Sequence, residues 1–320
     1  MSYQETLLKQ IRKQISNKQS INDEIAMVLQ ISYDASHRRV SGKSKFSIEE
    51  TVLLANHYNI SLDGLFFHKE KVIIEKTIEV SNLAEMQLYF QNSATKVKSL
   101  TKDSDTVMYY SAKDIPLFYF MDATIMSKFK AYVWLNLLDA ETSKVTFENF
   151  VITESFLESM TKLKTAYEKV EVKEIWNDTT INSSLQQILY FYEAGLLSFE
   201  LANELFDDLE NIINNIKKKC NHPNSKFSIY YNELVMLNNN LLFESKEKLT
   251  LFASYTLLGY FITENEESCQ NVKRWFHRQI ANSKPLNSSG IKEQQLFFNK
   301  AIRKIEFYRN QLNSQVDLMY

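Results

Sequence analysis

A short stretch near the start of the chain gathers side chains that could hydrogen-bond to a polar or anionic ligand. In ISYDASHRRVSGKSKF, the cations Arg38, Arg39, Lys43 and Lys45 are accompanied by one acidic residue, Asp34. The stretch is therefore strongly cationic in a chain whose net charge is −2. Clustered cations attract phosphate groups, and arginine can also donate two parallel hydrogen bonds to one planar acceptor. This stretch is the first candidate binding site.

The same stretch has the start and stop signals of a helix over residues 33–41. Ser32 is a favourable N-cap residue, and Gly42 stands where a glycine commonly follows a helix end. At 100° per residue, one side of this helix collects the larger hydrogen-bonding groups, namely Tyr33, Asp34, His37, Arg38 and Ser41. The other side carries Ala35, Ser36 and Arg39. We expect the first side to face a groove and the second to face a neighbouring helix.

Four further short helices are predicted around this one, within residues 3–66. Their sequences are YQETLLKQIRKQI, INDEIAMVLQ, IEETVLLANHYN and SLDGLF. Ser47 and Glu50 have the S-x-x-E spacing of a capping box at the start of the third of these. Apolar residues recur at helical intervals, which predicts a shared core.

As a connected set, these spacings resemble the Cro/repressor-type (XRE-like) helix-turn-helix domain of bacterial transcriptional regulators. The resemblance covers residues 8–66 and rests on N-D-E-I-A, on I-S opening the next helix, on Gly42 ten residues after Ser32, and on L-A-x-x-Y-x-I-S-L-D-x-L-F. The small residues followed by Arg-Arg and Gly are also similar to the BetR-like variant. The resemblance implies binding to double-stranded DNA, with residues 33–41 as the recognition helix in the major groove.

The resemblance also implies roles for individual residues. Base edges would be contacted by Tyr33, Asp34, His37 and Arg38. Arg38 is the first candidate for specificity, because a bidentate arginine–guanine pair discriminates by roughly 1 to 3 kcal/mol. Phosphates would be contacted by Asn22, Ser32, Ser41, Lys43 and Lys45.

Two residues depart from the family pattern. Gln30 stands where a glycine is usual, and a left-handed conformation there would cost on the order of 1 kcal/mol. Arg39 occupies a position that is commonly apolar. We expect its stem to pack inward while its guanidinium reaches Glu49 or Glu50, or extends to phosphate.

The remainder of the chain predicts a second domain. Residues 69–106 are interpreted as a helical connector, and residues 107–320 as an α+β domain for dimerisation or for sensing an effector, which could be a small molecule or a peptide. Strands are predicted in TVMYYSAK, KFSIYYNELVML, NNLLFES and KLTLFASYTLL. Helices are predicted in IMSKFKAYVWLNLL, in a pair interrupted near Gly195, and in two closing segments. The fold class is thus mainly α with a smaller β component, and residues 1–68 form a five-helix helix-turn-helix domain.

Composition excludes several classes of protein. The chain has 5 glycines and they are far apart, so a glycine-rich phosphate-binding loop is absent from the sequence. Its 2 cysteines, Cys220 and Cys269, have no metal-ligand spacing and are expected to be reduced thiols. The apolar runs fall short of the ~20 residues of a membrane span. We therefore expect a cytoplasmic protein that is not an enzyme, with no cofactor, no metal and no membrane partner.

Together these features predict a sequence-specific DNA-binding transcriptional regulator. We expect it to act as a homodimer, because one small DNA-binding domain makes few base contacts. A protein-interaction adaptor without DNA binding is the alternative, since charged helix faces are common on interaction domains. The basic helix of residues 271–284 could also contact DNA or an acidic partner, although a solvent-exposed face around buried Trp275 and Phe276 is the favoured interpretation.

Overall fold

The computed structural model describes residues 2–15, 19–66, 72–102, 105–222, 226–288 and 291–317. These residues divide into a small unit, Met1–Ile73, and a large unit, Ile74–Tyr320. The boundary expected between residues 68 and 69 lies outside the described residues.

The described part of the small unit contains the five expected short helices. They are α1 (Tyr3–Gln14), α2 (Ile21–Leu29), α3 (Tyr33–Val40), α4 (Ile48–His57) and α5 (Leu62–Phe66). All five surround one apolar core, whose fully buried members come from α1, α2 and α4 and include Leu7, Leu8, Ile11, Ile25 and Leu54. Ser47 and Glu50 form the predicted capping box at the start of α4. The apolar spacing predicted the burial of Ile25 on α2 and of Ala55 on α4. It was wrong for Ile48 and Val52 of α4, which are exposed because α4 packs against the core through Leu54 and Ala55 instead.

The large unit is built on one mixed eight-stranded sheet. Its strands are β1 (Glu75–Lys76), β2 (Val107–Ser111), β3 (Glu171–Trp176), β4 (Phe227–Tyr231), β5 (Leu241–Glu244), β6 (Leu249–Ser254), β7 (Tyr260–Thr263) and β8 (Lys284–Pro285). They lie in the order β1-β7-β6-β5-β2-β3-β4-β8. The pairs β2–β3 and β3–β4 are parallel, whereas β5, β6 and β7 form an antiparallel meander.

Helices cover both faces of this sheet. They are α6 (Leu83–Leu100), α7 (Ile125–Leu138), α8 (Glu154–Tyr167), α9 (Asn182–Glu193), α10 (Phe199–Cys220), α11 (Glu266–Ala281) and α12 (Ile291–Asp317). Helices α6, α7, α8, α9, α10 and α12 pack on one face of the sheet and share one apolar core with it. Helix α11 covers the other face through Cys269 and Phe276. Because side chains alternate along a strand, Trp176 lies in the first core and Ile175 in the second.

The segment expected to be a connector is instead part of the large unit. Within residues 69–106, β1 pairs with β7, placing Glu75 opposite Ile262. Helix α6 buries Met86, Phe90 and Val97, which recur at helical spacing, and packs along α8. Polar and charged residues surround this apolar stripe of α6, which is why the sequence suggested a helical connector.

The predicted fold class, mainly α with a smaller β component, is confirmed. The strands expected in four sequences appear as β2, β4, β5 and β6, and the helix pair breaks at Gly195, which has a φ of 69°. Strands β1, β3, β7 and β8 and helix α8 were not predicted. Both cysteines are free and buried. No helix among the described residues combines the length and the apolar character needed to cross a bilayer.

Candidate nucleic-acid interface

Helix α3 is fixed at both ends by local hydrogen bonds. The Ser32 hydroxyl accepts a hydrogen bond from the Ala35 amide at 3.3 Å, as expected for an N-cap. At the other end, the Ser41 hydroxyl donates to the His37 carbonyl at 2.7 Å. Gly42 follows with a φ of 78°, a conformation that favours glycine.

The inner side of α3 is held by two contacts to neighbouring helices. Ser36 is fully buried, and its hydroxyl donates to the Asn22 carbonyl on α2 at 2.7 Å. Arg39 forms a bidentate ion pair with Glu50 of α4, with its Nε 2.9 Å from Oε2 and its Nη2 2.6 Å from Oε1. The hydrogen bond from Arg39 lowers the pKa of the Glu50 carboxyl group. The ion pair expected between Arg39 and Glu50 is confirmed. The positive charge of Arg39 is therefore neutralised within the small unit.

The outer side of α3 faces solvent, as the spacing of its residues at 100° per residue predicts. Tyr33 is 51% exposed, and its ring lies nearly parallel to that of His37, with the centroids 6.5 Å apart. The exposed side chains on this side are Tyr33, Asp34, His37, Arg38 and Ser41. Every residue that the family resemblance assigns to base contact is therefore presented to solvent by one face.

The cations beside this face have no carboxylate partner among the described residues. Arg38 on α3, and Lys43 and Lys45 in the following loop, are exposed and form no ion pair there. Asp34 is the one acidic residue on this exposed face of α3. With the charge of Arg39 taken up by Glu50, the surface still carries more positive than negative charge, an arrangement that suits phosphate binding.

Asn22 lies where the resemblance places a phosphate-contacting residue, in the first turn of α2. Its side-chain amide donates to the Tyr33 hydroxyl at 3.4 Å. The buried Asn22 Oδ1 has no hydrogen-bond partner among the described residues. The hydroxyl groups of Ser32 and Ser41 take part in hydrogen bonds within α3, so phosphate contacts by these three residues remain predictions.

The turn between α2 and α3 has the conformation predicted for it. Gln30 ends α2 with a φ of 54° and a ψ of 42°, in the left-handed region. The Ile31 amide then donates to the Ala26 carbonyl at 3.0 Å, which satisfies a carbonyl at the end of α2. The angle between the two helices therefore depends on a strained residue.

Gln4 on α1 positions the loop after α3, and the sequence analysis did not single it out. Its Nε2 donates to the carbonyls of Arg39 and Ser44 at 2.7 and 2.9 Å, and its Oε1 accepts from the Phe46 amide at 3.0 Å. These bonds fix the backbone on both sides of Lys43. A glutamine on an amphipathic helix carries no sequence signal for partners that lie 35 to 42 residues away.

The structure offers no metal site, since no three His, Cys, Asp or Glu side chains come together among the described residues. No protein-family model matches this chain, and neither a curated protein nor a solved structure does so.

Proposed function

We propose that this protein is a sequence-specific DNA-binding transcriptional regulator that reads the major groove with α3. The observation that carries the proposal is that one side of α3 is anchored to neighbouring helices while the other side is exposed. Ser36 and Arg39 anchor the helix to its neighbours, while Tyr33, His37 and Arg38 point to solvent. A recognition helix needs both properties, because its outer side chains must meet base edges in a fixed register.

The phosphate contacts in this proposal come from the loop after α3. Lys43 and Lys45 are exposed cations next to the exposed face of α3, and Gln4 holds the backbone at Arg39 and Ser44, on either side of Lys43. Phosphate contacts position a protein without reading sequence, whereas arginine at a base edge reads it. Binding by two copies, as a homodimer in the cytoplasm, would double a small set of contacts and require a nearly palindromic site.

The test starts with selection of bound fragments from the host genome by the purified full-length protein. Arg38→Ala is expected to reduce the ratio of specific to non-specific affinity by about ten-fold or more, which corresponds to loss of one base-reading pair. Arg12→Ala, which removes an exposed arginine from α1, is the matched control and should leave that ratio unchanged.

Lys43→Ala tests the proposed phosphate contact separately from the recognition of base sequence. It is expected to weaken binding to all duplexes alike and to reduce the slope of log K against log salt concentration by about 1. Failure of the wild-type protein to enrich any fragment, at low salt as well as at physiological salt, would overturn the proposal.

A second candidate function, a protein-interaction adaptor, is favoured by α4. Ile48 is 80% exposed, and Val52 and Leu53 are 42% and 53% exposed. Exposed apolar side chains grouped on one short helix are typical of a protein contact surface. An adaptor predicts that Arg38→Ala changes no DNA affinity and that Val52→Asp abolishes capture of a protein partner.

A further inference from the structure

An open cavity in the large unit lies between the ends of α8 and α10 and the starts of β3 and β4. Its volume is about 440 Å³, which falls within the range of small-molecule sites. The cavity is formed within the large unit alone, so an inference about it does not depend on whether α3 binds DNA.

The floor of the cavity is apolar. Val170, Val172 and Phe227 line it and are each less than 10% exposed. The ring of Tyr167 completes the floor and stacks on the buried ring of Phe118, with centroids 4.3 Å apart. Such a floor favours the hydrocarbon part of a ligand, because burying it removes apolar surface from water.

The rim of the cavity is cationic. Lys218 and Lys219 come from the last turn of α10, and His222 and Lys226 line the cavity beyond it. Within the described residues, none of these three lysines has a carboxylate at ion-pair distance. The one acidic residue of the rim, Glu168, has its carboxylate 3.7 Å from Lys164, which does not line the cavity.

The dipole of α10 explains only some of the lysines at the rim. Lysines in the last turn of a helix are stabilised by its dipole, which explains Lys217, Lys218 and Lys219. Lys226 lies next to the start of β4, so the dipole of α10 gives no reason for its place at the same cavity. Cations from two elements therefore converge over one apolar floor.

A buried carboxylate beneath the floor balances part of this charge. The Tyr167 hydroxyl donates to Glu174 Oε1 at 2.7 Å, and Trp176 Nε1 donates to Glu174 Oε2 at 2.7 Å. Burial raises the pKa of Glu174 to about 7, and the nearby Lys219 ammonium, which lies 5.7 Å above the Tyr119 ring, opposes part of this rise. Even with Lys219 assigned to Glu174, Lys218 and Lys226 remain as free cations of the rim.

We propose that this cavity binds a small organic anion whose apolar body rests on the floor and whose head group is held by Lys218 and Lys226. Straight-chain carboxylates and phosphates share this chemistry. A neutral or cationic molecule with the same body would bury the same apolar surface but would gain no charge-assisted hydrogen bond at the rim.

The test is calorimetric titration of the full-length protein at low ionic strength with four compounds that share one body, namely octanoate, octyl phosphate, octanol and octylammonium. We expect one or both anions to bind at least about ten-fold more tightly than octanol or octylammonium, because one charge-assisted hydrogen bond corresponds to that ratio or more. Which anion binds identifies the head group.

Two sets of variants distinguish the cavity from general charge attraction. The double variant Lys218→Gln and Lys226→Gln is expected to weaken anion binding by about 100-fold, about ten-fold for each lysine. Lys217→Gln, in the same helical turn but outside the cavity, is the matched control and should bind as the wild type does. The proposal is overturned if neither anion binds, if octanol or octylammonium binds as tightly as the anions, or if Lys217→Gln weakens binding as much as the double variant.

Discussion

Two neighbouring arginines on α3 have opposite environments. The Arg39 guanidinium is paired with Glu50 and also donates to the Ala35 carbonyl at 3.1 Å. Arg38, one residue earlier, is exposed and has no ion pair among the described residues. One substitution at each position should therefore separate stability from the proposed DNA recognition.

Arg39→Ala is expected to destabilise the small unit by about 1 kcal/mol, because a partly buried bidentate pair and a helix contact are lost together. The measurement is hydrogen exchange of the full-length protein, followed in peptides from α3 and α4. Arg38→Ala is the control and should leave exchange unchanged while it reduces DNA discrimination. Equal protection in wild type and Arg39→Ala would contradict a structural role for the ion pair.

The same pair predicts how acid affects the small unit. The pKa of Glu50 is lowered in the folded state by its hydrogen bond from Arg39. A lowered carboxyl pKa contributes stability that is present above the ordinary pKa of 4.5 and is lost as the pH falls through the lowered value. In Arg39→Ala this contribution should disappear, so the variant and the wild type should converge in stability at low pH.

Glu174 predicts the opposite pH dependence for the large unit. Burial raises the pKa of this carboxyl group from 4.5 to about 7. The folded state therefore binds more protons than the unfolded state between these values, and stability should fall as the pH rises through this window, by on the order of 3 kcal/mol. Glu174→Gln, which does not titrate, should remove this fall.

Tryptophan fluorescence measures this effect, because all 3 tryptophans of the chain lie in the large unit. Urea midpoints would be compared at pH 5 and pH 8 for the wild type, Glu174→Gln and the exposed control Glu168→Gln. The interpretation of Glu174 is wrong if its variant keeps the pH dependence of the wild type, or if Glu168→Gln loses it.

At the scale of single residues, the sequence predicted the role of a side chain where its partner could be identified from a nearby motif. The inward turn of Arg39 could be predicted because Glu50 also caps the next helix. Gln4 could not be singled out, because its partners lie 35 to 42 residues away. Glu174 could not be singled out either, because its burial is set by the tertiary fold and not by the residues next to it. A glutamic acid within EVKEIW carries no sign that it will be fully buried.

At the scale of elements, α3 is bounded by two residues of positive φ. Gln30 adopts a φ of 54° before the helix and Gly42 a φ of 78° after it. A side chain other than glycine is strained in this region, and open space surrounds the position that a Cβ would occupy at Gly42. Substitutions at these two positions should therefore report backbone conformation with little contribution from packing.

Gly42→Ala is expected to destabilise the small unit by about 1 kcal/mol, which is the cost of the left-handed conformation for alanine. Gln30→Gly removes that cost but gives the unfolded chain more freedom, so its net effect should lie between neutral and about 1 kcal/mol of stabilisation. Hydrogen exchange in α2 and α3 of the full-length protein measures both. Destabilisation by Gln30→Gly would show that the glutamine side chain makes a contribution beyond its backbone angles.

Elements that are mostly apolar were predictable, and those whose apolar residues are interspersed with polar or charged ones were not. Helix α7 is apolar almost throughout, and β5 is a short apolar run, so both stood out. Strand β3 alternates charged and apolar residues until Glu174 breaks the pattern by pointing into the core. Helix α6 appeared to be a connector because its buried stripe is surrounded by polar and charged residues.

At the scale of the whole molecule, the order of the strands was beyond sequence analysis. Strand β2 lies between β5 and β3, and β1 pairs with β7 across most of the chain. These pairings are set by which faces the helices can cover, and no local pattern encodes them. The division near Ile73 is similarly a property of packing, because residues on both sides of it are of mixed polarity.

The proposed homodimer makes a prediction about the spacing of its DNA site. Two copies of α3 held by one dimer would enter successive major grooves on one side of the duplex, about one helical turn or 10 to 10.5 base pairs apart. Inserting about 5 base pairs between the half-sites rotates one of them to the opposite side, so affinity should fall by at least about ten-fold as one set of base contacts is lost. Insertion of a full turn keeps both half-sites on one side and serves as the control for length, with a smaller loss expected. Equal affinity for all three spacings, measured by titration of labelled duplexes, would mean that each copy binds alone and that the homodimer is not the DNA-binding form.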